Sequence, residues 1–131
     1  MDDLLEQLET FKFDKYLKKL NRKLKNKTVV IYGAGLLFNK IIENYDLSNL
    51  NVIGISDRKF EREEEGQEAF GYKIIPLEKI KDYNPDYILI STINYMPILD
   101  DFVHNLFKKT KIKVLPLVDK PFWVLLKEIF G

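Results

Sequence analysis

A chain of 131 residues has the length of one domain, and 46% apolar with 13% aromatic residues is enough side chain to build a real core. Twenty-one Lys and Arg against twenty Asp and Glu leave a net charge of +1, which excludes a global field that recruits nucleic acid or acidic membranes, and zero cysteines exclude a disulfide scaffold, thiolate metal sites and thiol nucleophiles. Met1 is followed by Asp2 and Asp3 rather than by a cationic and apolar leader, and no apolar run approaches the ~20 residues of a membrane span. The sequence therefore predicts a soluble, cytoplasmic protein with no nucleic-acid partner and no membrane span.

Leu4, Leu8 and Phe11, then Phe13, Leu17, Leu20 and Leu24, recur at spacings of three and four, the period of an amphipathic helix. A helical extension over 1–26 is predicted, broken near Thr10 to Phe13. Its outer face is basic, because residues 11–27 carry eight Lys or Arg and one Asp. The core follows over 27–131. "TVVIY" at 28–32 is a continuous apolar, β-branched run ending at glycine, the mark of a buried parallel strand. "GLLFNKIIENY" reads as a helix with Leu37, Ile41 and Ile42 on one face, and "NVIGIS" at 51–56 as the second strand.

The acidic stretch 60–68, with five Glu, reads as a mobile polar loop. "GYKIIP" is a short third strand, and "LEKIKDY" a short helix stopped by Asn84 and Pro85, since the residue before proline is steered away from helix. "DYILIS" at 86–91 is the fourth strand, residues 97–109 a helix with Pro97 in its first turn, "KIKVLPL" the fifth strand and "PFWVLLKEIF" a closing helix. Alternation of this kind predicts one α/β domain, a doubly wound, mostly parallel five-stranded sheet of order 3-2-1-4-5 with an N-terminal helical extension.

In such a sheet a ligand sits beyond the carboxyl ends of the strands, where the strand order reverses. From the first strand come Gly33, Ala34 and Gly35, whose small side chains let backbone N–H groups approach an anion at the start of the next helix. From the second comes Asp57, 22 residues after Gly35, where an acidic side chain accepts hydrogen bonds from ribose hydroxyls; Arg58 and Lys59 beside it suit an extra phosphate or, more commonly for such residues, are solvated loop charges. From the fourth come Ser91, Thr92, Asn94 and Tyr95. The first two glycines match G-x-G-x-x-G, but Phe38 stands at the third position, where glycine lets helix and strand pack closely. Phe38 either holds the helix off the sheet or fills an enlarged gap.

"VVIYGAG", "NVIGISDRK", "GYKIIPLEKI" and "PDYILIST", in that order, resemble the Rossmann-type nucleotide-binding domains of bacterial nucleotide-sugar and surface-polysaccharide enzymes. Among them are the N-terminal domain of sugar acetyltransferases and the CoA-binding-like domain of nucleotide-sugar dehydratases. Over residues 28–117 the resemblance implies binding of NAD(P) or a nucleotide-sugar at 33–35, with Asp57 toward the ribose or base. Catalytic machinery is not predicted. No tyrosine has lysine four residues on, His104 stands alone in a helix, the Asp100–Asp101 pair suits a helix N-terminus better than magnesium, and G-x-x-x-x-G-K-[ST] is absent. The sequence thus predicts an accessory nucleotide-binding domain acting as a homodimer or with a partner enzyme. The alternative is a non-catalytic interaction or dimerisation module on a Rossmann scaffold with a decayed site.

Overall fold

The computed structural model describes residues 3–119. Its elements are α1 (Asp3–Thr10), α2 (Phe13–Lys23), β1 (Thr28–Tyr32), α3 (Leu36–Asn44), β2 (Asn51–Ser56), β3 (Glu68–Ala69), β4 (Tyr72–Lys73), α4 (Ile80–Tyr83), β5 (Tyr87–Ile90), α5 (Met96–Asp101) and β6 (Lys113–Pro116). The closing helix expected over 121–130, with Phe122, Trp123 and Phe130, lies outside the described residues. Among those described, no helix is long and apolar enough to cross a membrane.

The break between α1 and α2 falls at Phe11 and Lys12, where Lys12 takes a left-handed φ of 55°. Both helices turn their apolar stripe inward, so Leu8, Phe13, Leu17, Leu20 and Leu24 are buried while the cations of α2 stay exposed. Each such side chain contributes about 1.5–3 kcal/mol on burial, which makes the helical extension part of the core rather than an appendage.

Strands β2-β1-β5-β6 form one parallel sheet in that order. Side chains alternate between its two faces. Val29 and Ile31 of β1 join Leu89 under α1, α2 and α3, whereas Val30 and Tyr32 join Ile88 and Ile90 against Ile80, Phe102 and Phe107 on the other face. Helices on both sides of a parallel sheet are the doubly wound α/β arrangement.

Four of the five expected strands pair in the expected order, 2-1-4-5, but the third does not form a full strand beside the second. Within the expected third strand only Ile74 makes a parallel bridge, to Ile55 of β2, and Ile75 N–H donates to Ile55 O at 2.9 Å. Residues 72–73 pair antiparallel with 68–69 instead. The chain comes in close at Gly54, where a Cβ would collide with the Ile75 side chain and stand 2.9 Å from Lys73 O, but it stays for one bridge only. Pro76, with no N–H to donate, follows directly. The acidic loop is shaped locally: a 3-10 turn over Arg62–Glu64 is closed by a capping box between Glu61 and Glu64. The helix expected over 97–109 is α5 followed by a wider π turn, Phe102–Leu106, in which Phe107 N–H reaches Phe102 O at 2.8 Å.

Phe38 is fully buried, and its ring meets Phe70 edge-on at 5.2 Å and Tyr72 at 6.4 Å. It fills the space between α3 and the β3–β4 hairpin, whose turn holds Phe70 at φ 56° and Gly71 at 82°. The helix therefore needs no third glycine, because at this point it packs on a hairpin through an aromatic side chain.

Candidate functional site

Beyond the carboxyl ends of β1, β2 and β5 lies a crevice of about 290 Å³ whose walls include Gly33, Gly35, Asp57, Ser91 and Thr92. Three strand ends converge there because β1 is central, flanked by β2 and β5. Gly33 continues the ladder, its N–H donating to Ser56 O at 2.8 Å, and then turns at a φ of 116° that side-chain-bearing residues avoid. A Cβ at that position would stand 2.5 Å from Ser91 Oγ.

Ser91 is 3% exposed, and its hydroxyl donates to Gly33 O at 2.5 Å, with Tyr32 O at 3.2 Å. It is a strap across the ends of β1 and β5. Asp57 holds the loop from the other side: Ala34 N–H donates to Oδ2 at 2.7 Å, while Lys59 N–H donates to Oδ1 at 3.0 Å. The Lys59 ammonium donates to Ala34 O at 2.7 Å, so both backbone groups of Ala34 are tied to the segment that follows β2.

Gly35 then serves as the N-cap of α3 without any side-chain cap, and nothing lies within 4 Å of where its Cβ would be. The first-turn N–H groups of a helix have no acceptor inside it, and the helix dipole is positive at that end. The Thr92 hydroxyl oxygen is buried with no partner among the described residues, and so is that of Ser56. Apolar surface completes the crevice, from Leu4 of α1, Leu36, Leu37 and Ile93. Leu36 is 77% exposed at its mouth.

Of the residues singled out in the sequence, the structure thus gathers Gly33, Gly35, Asp57, Ser91 and Thr92 around one cavity, with Ala34 bonded to its rim. Arg58 and Asn94 stand outside the lining. Arg58 lies near the Tyr32 phenol, which burial pushes up in pKa and Arg58 pulls back. Tyr95 OH donates to Asp119 Oδ1 at 2.9 Å, and burial first, then that bond, raises its pKa to about 12. His104 is exposed on the π turn, 3.4 Å from Asp100. Sequence reasoning missed the side-chain bond of Lys59 and the apolar wall. Leu36 and Leu37 directly follow the glycines and were legible there, but nothing local announces Leu4.

A larger cavity, about 350 Å³, lies between α2 and β6. Its hydroxyls are already spent, with Tyr16 OH donating to Pro116 O at 2.8 Å and Tyr95 OH to Asp119. Open donors and a built loop favour the smaller crevice as the chemical site.

A family model described as C2185-like, N-terminal, matches residues 25–101, more than half of the chain. This, and not the sugar-enzyme domains that the motifs resemble, is the family found. A glutamyl-tRNA reductase of Sulfurihydrogenibium sp. (strain YO3AOP1) is 36% identical over 84 residues, which are 63% of this chain and 19% of the reductase. Two solved structures of a protein called RSP are distantly similar. The one in complex with beta-NAD+ and operator DNA has a TM-score of 0.44 at 21% identity, covering 82% of this chain and 53% of that one. The one with beta-NADH has a TM-score of 0.43 at 22% identity, covering 82% and 56%.

Proposed function

This chain belongs to the C2185-like, N-terminal family, and we propose that it binds a nucleotide in the crevice at the ends of β1, β2 and β5. One observation carries the reading: the bond that Asp57 accepts from Ala34 N–H and the bond that Ser91 donates to Gly33 O hold the glycine loop in front of an α3 N-terminus that no side chain caps. Unpaired amides and the positive helix end suit a phosphate at Gly35 and Leu36. A carboxylate has about four acceptor positions, so Asp57, with one N–H on each oxygen, keeps capacity for ribose hydroxyls. Thr92 completes the wall between the strand ends, and Leu36 and Ile93 offer a base an apolar surface. Arg58 and Asn94 reach only a ligand that extends past the crevice.

The ligand class is NAD(P), a nucleotide-sugar or a simpler nucleotide, and the role is that of a binding domain rather than a self-contained enzyme. The surface-polysaccharide setting rests on the sequence resemblance alone. The reductase's own reaction is not carried over, since the chain spans 19% of its length.

Calorimetric titration with NAD+, NADP+, AMP and a UDP-sugar tests the reading. At least one should bind with a Kd below about 1 mM, roughly −4 kcal/mol, and Asp57→Ala should weaken it about tenfold. Failure of all four to bind overturns the proposal. The second reading, an interaction or dimerisation module, is favoured by Leu36 at 77% and Met96 at 58% exposure. Sedimentation that stays monomeric at high concentration, with no partner retained, removes it.

A further inference from the structure

We infer that the crevice takes a mononucleotide, a single nucleoside phosphate, and not a dinucleotide; this rests on the nucleotide reading above and narrows it. A dinucleotide lies across the point where strand order reverses, one nucleoside on each side, and needs a continuous groove there. The crevice holds about 290 Å³, just under the ~300–1,000 Å³ of small-molecule sites. Its volume is already bounded by parts of the core.

Two features close it. Leu4 stands in its wall, carried on α1, which is anchored by the fully buried Leu8 and by Phe11 at 8% exposure. Moving that wall aside would expose core residues, so α1 is a fixed boundary and not a loose lip. On the far side, the loop after β5 is tied to the chain after β6 by the 2.9 Å bond from Tyr95 OH to Asp119. The cavity beyond that tie shares no lining residue with the crevice.

What remains fits one unit: the α3 N-terminus for a phosphate, Asp57 for a ribose, and Leu36 with Ile93 for a base. The test titrates the full chain with AMP, UMP and NAD+ by calorimetry, and repeats the series on Leu4→Ala. The tighter of the two mononucleotides should bind at least tenfold better than NAD+, and Leu4→Ala should narrow that ratio. NAD+ binding within tenfold of the mononucleotide, or better, overturns this inference and leaves the nucleotide reading intact. No binding by AMP or UMP near millimolar concentration overturns this inference, and the nucleotide reading falls with it only if NAD+, NADP+ and the UDP-sugar fail as well.

Discussion

Replacing Gly33 with alanine should unseat the loop through two separate costs. The first is conformational: at φ 116° a residue with a Cβ is strained by about 1–3 kcal/mol. The second is steric, because the new methyl would stand 2.5 Å from Ser91 Oγ. That hydroxyl cannot simply swing away, since it is buried and donates to Gly33 O at 2.5 Å. Losing the bond costs about 0.5–1.5 kcal/mol, and more if the carbonyl is left buried and unpaired. Together Gly33→Ala should lose about 2–4 kcal/mol, read as ΔG of unfolding by urea titration at constant m. Ser91→Ala removes the colliding oxygen, so the double variant should be less destabilised than the sum of the singles by about 1 kcal/mol or more. A Gly33→Ala loss below about 1 kcal/mol, or strict additivity, would refute the strap.

Phe38→Gly, which completes the glycine pattern, should cost about 4 kcal/mol by emptying a fully buried site against Phe70, and should not tighten NAD+ binding in calorimetry; a stable variant would contradict the packing role. Asp57→Asn keeps the shape but gives up the charge on the bond from Ala34 N–H, so stability should fall by about 1 kcal/mol and nucleotide affinity with it, both measured on one preparation. In alkali the Tyr95 phenol, raised from 10.0 to about 12 by burial and by Asp119, stays protonated longer in the folded state than in the unfolded one. Its stabilising contribution is complete below pH 10 and is lost as pH rises toward about 12, so Tyr95→Phe should flatten that part of the stability profile. In acid, Asp86 is held below its ordinary value chiefly by the backbone N–H and then the hydroxyl of Thr28. Its contribution is lost as pH falls below the carboxylate range, and Asp86→Asn should blunt that acid-side loss in a denaturation series.

Much of this architecture is local information. Among the described residues the four strands of the sheet are short apolar runs, and a parallel strand covered on both faces must be apolar on both, so 28–32, 51–56, 87–90 and 113–116 announce themselves. The amphipathic period likewise marks α1 and α2, including the break at Phe11 and Lys12. The convergence of Gly33, Gly35, Asp57, Ser91 and Thr92 was legible too, since the carboxyl ends of neighbouring parallel strands lie on one edge. Residues 71–76 were not legible, because an apolar pair can ladder against β2 or turn into a hairpin, and the choice depends on Gly54 and on residues 66–69 folding back. Phe38 was misleading for the same reason. In the sequence it is a missing glycine, and only the distant Phe70 explains it.

The residues by themselves determined the α/β class, the order of elements and the place where a ligand could sit, since periodicity and turn chemistry act over a few residues. The tertiary structure alone decided that residues 71–76 give the sheet one bridge and not a full strand, that Lys59 and Asp57 hold Ala34 between them, and that Leu4 bounds the crevice. Those depend on groups that meet only after the chain has closed on itself.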